Sequence, residues 1–519
     1  MDQSGQPASL AKPPDNQSRA ENDQADGNTT VVAPAEIPVE VEVEVVAEGA
    51  VPQEQPAGEN VQPAEQRAPQ IEKKLNFPKC PDMALLPPRL TRKSKYVKEN
   101  PKQENLFMYL LASFVVVFRE IKKENFGLTL PRAKEKKKLR LANIVETFTE
   151  LKDDIFRVPN FVTDKKESIK FKHLIEKINE GGNEGYNCLD CEITKKPSLN
   201  KQVRIPSIVN GYSMVAELKK VINDRLKEIG GTQKATGNTK VLQSLKQEKA
   251  ELTRVLSKLP SYEKFFIYSM KDAFTNLHVD FGGTFVYYYV MEGSKVFWIA
   301  PPTERNLEVY KRLETKRQNI WEYEQEFLMS EFERHELHAG DLAFIPTGYL
   351  HFVYTPAKSL VFGGNFLTLN KLEQHFEITR FEEECKVKAE KYKLFWDFQF
   401  AYVKYVWLAE VKWQRNLCGA VLPKECLNIG QTFLNALQNE IKEEEGGIYT
   451  SEEKSKIVKE IKTALRKGTP KIGRMDSEDD EEPKIRTIED IDAEIAAKES
   501  KRKLETPASS SDAKRPKTS

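Results

Sequence analysis

Cysteine and histidine are scarce: the chain of 519 residues holds six of each. Cys80, Cys188, Cys191, Cys385, Cys418 and Cys426 contain a single Cys-x-x-Cys pair, and a structural zinc module is normally built from two such pairs. Zinc fingers and zinc ribbons are therefore excluded from this sequence. Cys188 and Cys191 are open to two readings, buried thiols or a redox dithiol, and the first is expected because a dithiol motif normally sits where a strand passes into a helix. Long apolar runs are also missing. Leu106 to Phe118 is the most apolar stretch, is too short to span a bilayer, and is closed by Arg119, so a buried helix is expected there. The chain does not open on a charged and then apolar leader, which leads to the expectation of an intracellular protein with reduced thiols and no membrane partner. Residues 1–70 have no aromatic residue and thirteen acids against three basic residues, a composition expected to stay disordered as an acidic N-terminal tail. The formal net charge of +1 hides that acidic head and several basic patches.

Against this background one constellation stands out. His278 and Asp280 form a His-x-Asp pair within Thr275-Asn-Leu-His-Val-Asp-Phe-Gly-Gly283, and His351 closes Gly340-Asp-Leu-Ala-Phe-Ile-Pro-Thr-Gly-Tyr-Leu-His351. Residues i and i+2 of a strand share a face, so His278 and Asp280 can offer an imidazole and a carboxylate to one ion. Two histidines and one carboxylate are the ligands of the facial triad that holds non-heme Fe(II) and leaves positions open for a co-substrate and oxygen. Thr284 to Val290 is rich in β-branched and aromatic residues and predicts a strand; Gly293-Ser294 predicts a hairpin, with Lys295 to Ala300 returning as another strand. Leu342 to Ile345 and His351 to Tyr354 predict two more. Antiparallel strands of a double-sheet jelly roll bring such distant positions to one mouth. His335 and His338, in the polar Glu333-Arg-His-Glu-Leu-His338, are a weaker second metal candidate, expected in a charged loop and lacking the His-Glu-x-x-His arrangement.

The stretch from Tyr268 through the His-x-Asp motif, Gly348-Tyr-Leu-His351 and Phe362-Gly-Gly-Asn-Phe366 resembles the Jumonji C catalytic domain, firmly over 262–370 and more weakly from about 100 to 410. It is most similar to the histone lysine demethylase branch that usually carries a PHD finger, a module the cysteines of this sequence cannot supply. The resemblance implies a double-stranded β-helix, or cupin, core of α+β class with flanking helices. It implies an Fe(II)- and 2-oxoglutarate-dependent dioxygenase that hydroxylates the N-methyl groups of histone lysines, of H3 in that branch, and releases formaldehyde, succinate and CO2. His278, Asp280 and His351 would bind the iron. Thr275 and Lys295 would hold the distal carboxylate of 2-oxoglutarate, with Tyr288 and Asn187 beside it. Leu189 and Asn365 would lie on the substrate side. Tyr287 and Tyr289 are expected to pack on the opposite face from Tyr288. Tyr349 departs from the family's usual tryptophan before the last histidine. Two alternatives stay open: a Jumonji C protein hydroxylase, and a chromatin scaffold whose barrel has lost activity.

The remaining segments suggest an organisation around that core. A basic linker is expected at 71–100, the N-terminal part of the catalytic region at 101–212, and a helical hairpin insertion at 213–259, where leucines recur at three- and four-residue steps on either side of Gly230-Gly231 and a polar loop. The jelly-roll core would occupy 260–370 and a C-terminal helical region 371–465. The hairpin is read as a cover for the barrel or as an arm for a partner. The aromatics Phe395, Trp396, Phe398, Tyr402, Tyr405 and Trp407 are read as helical core or as a methyl-lysine cage. Basic runs at Arg89–Lys98 and Arg132–Arg140 are read as solvated loops or as contacts to DNA phosphates of a nucleosome. Residues 466–519 are expected to be a disordered tail whose Lys501-Arg-Lys503 and Lys514-Arg-Pro-Lys517 resemble a bipartite nuclear localisation signal, implying an import receptor and a nuclear chromatin regulator acting in transcription.

Overall fold

The computed structural model describes residues 77–385, 391–418 and 422–468. The expected acidic head and the two basic clusters of the tail lie outside the described residues. The strands are β1 (Val97–Glu99), β2 (Val115–Phe118), β3 (Ile155–Asn160), β4 (Lys165–Lys170), β5 (Asn187–Glu192), β6 (Phe265–Ser269), β7 (Phe274–His278), β8 (Phe285–Ala300), β9 (Glu333–His338), β10 (Leu342–Ile345) and β11 (Leu350–Phe366). Nine of them form one sheet in the order β1-β2-β10-β8-β11-β6-β5, with β7 added to β11 and β9 to β8; β3 and β4 make a separate ribbon.

The two long strands make the fold. The first half of β8 pairs with β10, and its second half pairs with β9. The second half of β11 pairs with β6, and its first half pairs with β7. Both strands therefore pass from one layer to the other, and the layers enclose an apolar interior of Val286, Tyr288, Val290, Phe297, Ile299 and Val353. This is the jelly-roll architecture of an α+β protein. Tyr287 and Tyr289 pack on the outside of the first layer, and Trp298 and Phe352 on the outside of the second.

The expected hairpin at Gly293-Ser294 is absent, because β8 runs unbroken through it. The register against β11 shifts there instead, and the inward positions of β8 change from even numbers (Val286, Tyr288, Val290) to odd ones (Phe297, Ile299). That bulge turns Lys295 inward, opposite the buried Leu337 of β9; without it the lysine would share the outer face of Tyr287 and Tyr289. Gly293 has φ +79°, and a Cβ there would come within 2.2 Å of the Lys358 carbonyl oxygen. Gly293→Ala is accordingly expected to cost about 2–4 kcal/mol, read as a lowered Tm, and to weaken whatever Lys295 binds.

Three other elements differ from expectation. Leu106 to Phe118 is not one helix: the helix ends at Leu111, Ser113 turns the chain at φ +60°, and Val115–Phe118 is a fully buried strand between β1 and β10. The β-branched run is satisfied by pairing, which propensity alone cannot reveal. The described part of the expected basic linker lies against the barrel. Leu86 joins the core outside the second layer, the Pro87 carbonyl accepts from Trp298 Nε1 at 2.9 Å, and Ser94 and Lys95 donate to the Glu333 carboxylate. His335 and His338 lie on strand β9, not in a loop.

The helical hairpin consists of Met214–Ala235 and Thr239–Lys258, the first helix running straight through Gly230-Gly231, and Asn238 caps the second. Its buried face, including Leu218, Ile222 and Val255, joins one core with Phe395, Trp396, Phe398, Tyr402 and Trp407 of the C-terminal helices. Those aromatics are core, with Phe398 and Tyr402 almost wholly buried. Among the described residues no helix is long and apolar enough to cross a membrane.

Candidate metal centre

Strands β7 and β11 place His278 directly opposite His351, with ring centroids 4.1 Å apart. Asp280 follows β7 in extended backbone, and its Oδ2 lies 3.8 Å from His351 Nε2. One ligand atom from each of the three residues falls within 4.8 Å of the others, and among the described residues they are the only such group of three. Both histidines use Nδ1 in the same way: His278 against the Asn276 carbonyl at 2.8 Å, His351 against the Tyr349 carbonyl at 3.1 Å. A carbonyl only accepts, so Nδ1 carries the proton and each Nε2 keeps its lone pair for a ligand bond. Burial and the neighbouring His278 hold His351 well below its ordinary pKa, hence neutral. Burial pushes the Asp280 carboxyl up, against the opposing pull of His278 and the Asn365 amide. Two imidazoles that each present Nε2 and a carboxylate that resists ionisation without a cation fit a divalent metal; a soft or all-oxygen site would need other donors.

The supports of Asp280 were not foreseen from sequence. Asn365, expected on the substrate side, donates its amide to Asp280 Oδ1 at 3.2 Å and to Thr284 Oγ1 at 2.8 Å, so it orients the ligand. The turn after Asp280 is held from the Leu372–Glu384 helix. Thr368 N–H donates to His375 Nε2, which requires the proton on Nδ1, and that nitrogen donates to the Gly282 carbonyl at 3.1 Å. Gly282 N–H donates to both oxygens of Glu382 at 3.0 and 3.1 Å. Burial brings His375 down to about 4 and Glu382 up to about 8. His375 stands in a charged stretch of sequence, and only the packing buries it.

Beside the triad lies a second polar group. Lys295 Nζ donates to Ser269 Oγ at 2.7 Å and Thr355 Oγ1 at 2.8 Å. Ser269 donates to Asn187 Oδ1 at 2.7 Å, and the Asn187 amide donates to Thr275 Oγ1 at 3.1 Å. Three residues singled out from the motif, Thr275, Lys295 and Asn187, thus share one chain of hydrogen bonds with two that carried no signal, Ser269 and Thr355. Thr275 and His278 both face inward although three residues apart, because β7 carries one extra residue between the pairs His278–His351 and Thr275–Val353. Lys295 is only 2 % exposed and has no ion-pair partner among the described residues. Burial brings its pKa down to about 7. A buried, unpaired cation ringed by hydroxyls is a receptor for a small anion. Tyr288 and Phe297 meet edge to face at 5.3 Å in the apolar interior, and Phe297 stacks on His351 at 6.1 Å. Leu189, partly buried, packs against the same interior cluster.

The other candidates do not assemble. His335 and His338 are three apart on β9 and point to opposite faces, with Glu333 and Glu336 as their respective neighbours at 3.5 and 3.7 Å. Cys188 and Cys191 are buried thiols of β5 that are not joined in a disulfide; burial drives the Cys191 thiol far up in pKa, away from a reactive thiolate.

Sequence comparison bears on the same region. No family model matches the chain. It is 45% identical over 128 residues to JmjC domain-containing histone demethylation protein 1 of Saccharomyces cerevisiae, a match covering 25% of this chain and 26% of that protein. It is 38% identical over 147 residues to Lysine-specific demethylase 2A of Xenopus tropicalis, covering 28% and 13% of the two. A longer match, 34% identical over 212 residues, is with JmjC domain-containing histone demethylation protein 1 of Debaryomyces hansenii and covers 39% of this chain and 35% of the other. The chain thus spans only a tenth to about a third of the relatives' length. Its resemblance to Jumonji C histone demethylases, carried first by the three motifs, is borne out by these relatives.

Proposed function

We propose, from that resemblance, that the chain is an Fe(II)- and 2-oxoglutarate-dependent dioxygenase that removes methyl groups from histone lysines in the nucleus. The observation that carries the co-substrate assignment is Lys295, a buried cation without a carboxylate partner among the described residues, in the same sheet layer as the His-Asp-His group. His278, Asp280 and His351 would hold the iron. Iron, when bound, supplies oxidation of the N-methyl carbon by oxygen, coupled to decarboxylation of 2-oxoglutarate to succinate.

This chain's own residues do the rest. Lys295 and Thr275 bind the distal carboxylate of 2-oxoglutarate, and Asn187 orients Thr275 through its amide. Tyr288 and Phe297 fill the interior between that carboxylate and His351 and keep water out. Asn365 aims Asp280, and His375 with Glu382 pins the turn behind it. Leu189, on edge strand β5, offers an apolar wall to the methylated side chain. The basic run Arg132–Arg140 would face nucleosomal DNA and the tail clusters would engage an import receptor.

The test is mass spectrometry of methylated histone H3 peptides with iron, 2-oxoglutarate and oxygen. Demethylation removes one methylene mass per turnover with matching formaldehyde and succinate. A retained oxygen on an unmethylated protein would give the hydroxylase reading instead. Succinate output equal to that of Asp280→Ala would leave the scaffold.

A further inference from the structure

The β3–β4 ribbon is not used by the site, and its two faces are chemically opposed. Cross-strand partners share a face, so Ile155/Lys170, Arg157/Ser168 and Pro159/Lys166 form one side and Phe156/Ile169, Val158/Glu167 and Asn160/Lys165 the other. The second side is inward: Val158 is 1 % exposed, and Phe156 and Ile169 pack on the main core. The outer side therefore presents Arg157, Lys166 and Lys170 with no acid among them.

The ribbon's acids are spent elsewhere. Glu167, on the inner face, accepts from Asn160 Nδ2 at 2.9 Å, Thr163 Oγ1 at 2.8 Å and the Tyr186 hydroxyl at 2.9 Å. Asp164, in the turn, accepts from the Phe77 N–H at 2.6 Å. Asp154, just before the ribbon, pairs with Lys196 at 2.5 Å, which leaves Asp153 as the adjacent exposed acid. Arg157, Lys166 and Lys170 make no ion pair with any described residue. The other basic runs differ in this respect: Lys134 pairs with Glu146 at 3.5 Å, Lys137 with Glu135 at 2.6 Å, and Arg92 with Glu333 at 3.2 Å.

We infer that the outer face of the β3–β4 ribbon is a sequence-independent contact for the phosphate backbone of double-stranded DNA. The register puts Lys166, Arg157 and Lys170 at successive steps of two residues, about 7 Å each, twice the ~3.4 Å axial spacing of charge along one DNA strand. Phosphates are the matching partner because the face has no carboxylate to repel them. Single strands fit poorly, since the ribbon's one aromatic, Phe156, is turned inward and offers no stacking platform. The ribbon is rigidly attached to the catalytic sheet: Asn160 bridges to Tyr186, the residue before Asn187 of β5. DNA held there lies beside the strand that lines the pocket. The choice of DNA among polyanions rests on the chromatin substrate proposed above, and the charge pattern does not.

Binding of the full chain to a fluorescent duplex of random sequence, followed by anisotropy from low to physiological salt, tests this. The triple variant Arg157→Ala/Lys166→Ala/Lys170→Ala is expected to lower the slope of log affinity against log salt by two to three and to weaken binding about tenfold or more at ~0.1 M salt. Lys166→Arg/Lys170→Arg is expected to keep the slope. An unchanged slope in the triple variant overturns the inference, as does a loss of the whole slope in Lys134→Ala/Lys137→Ala/Lys138→Ala. Polyglutamate competing as well as DNA at equal charge overturns it in favour of an acidic protein partner. Turnover of a free methylated peptide is measured in parallel and is expected to be unchanged in the triple variant. DNA binding without any peptide turnover in wild type would remove the demethylase reading and leave the ribbon's role standing.

Discussion

Asp280→Ala is expected to abolish turnover, lowering it by roughly a thousandfold or more, about 4 kcal/mol of transition-state stabilisation. The expectation follows from the arrangement of donors. Each histidine can give one Nε2, and among the described residues Asp280 supplies the carboxylate of the one group of three ligands, so its loss removes the negative donor that compensates a divalent cation. Titration with Co(II) or Ni(II) as spectroscopic probes should show binding lost in Asp280→Ala and in His351→Ala. Asn365→Ala should keep binding but weaken it by about 10–100-fold, because the ligand remains and only its orientation is released. Full metal affinity in Asp280→Ala would remove the centre assigned here.

Lys295→Met is expected to do two opposite things. Affinity for 2-oxoglutarate should fall about a hundredfold, about 3 kcal/mol, because a buried carboxylate loses its cation. The protein without co-substrate should become more stable. Lys295 is depressed to about 7 in the fold, against about 10.4 for a free lysine, so the unfolded chain binds more protons between those values. Folded stability therefore rises as the pH is raised from about 7 to about 10, and the cost of the buried charge is fully present below about 7. Removing the amine relieves that cost, less the unmet hydroxyls of Ser269 and Thr355, for a net gain of roughly 1–3 kcal/mol near pH 7. Thermal melts from pH 7 to 9.5 check it: the wild-type rise should vanish in Lys295→Met and flatten in wild type saturated with 2-oxoglutarate. Co-substrate affinity should also fall as the pH rises above about 7, since the bound form requires the proton. A melting temperature lowered at every pH by Lys295→Met would show that the lysine is structural.

The His-Asp-His group was legible because ligand chemistry is local in type: a metal needs imidazole and carboxylate, and few histidines were available to supply them. Lys295 was singled out beside a hairpin that the chain does not make at Gly293-Ser294; it is a bulge in a continuous strand that points the lysine inward. Thr275 likewise needed an extra residue in β7 to share a side with His278. Ser269, Thr355, His375 and Glu382 left no trace in the sequence, because a lone hydroxyl or a histidine in a charged stretch acquires its meaning only from what buries it. Leu106 to Phe118 was misread for the same reason, its four-residue strand being stabilised by neighbours far along the chain.

The sequence by itself determined which donors the chain can offer: a His-Asp-His set, a lysine and a threonine placed as in the resembled family, and only one Cys-x-x-Cys pair where a zinc module is normally built from two. Tertiary structure alone decided which side of each strand those residues face, which hydrogen bonds aim them, and which cations are left unpaired on the ribbon. The physical reason is that donor type is a property of one residue, whereas a bulge reverses the face of every residue beyond it and burial depends on the partner strand.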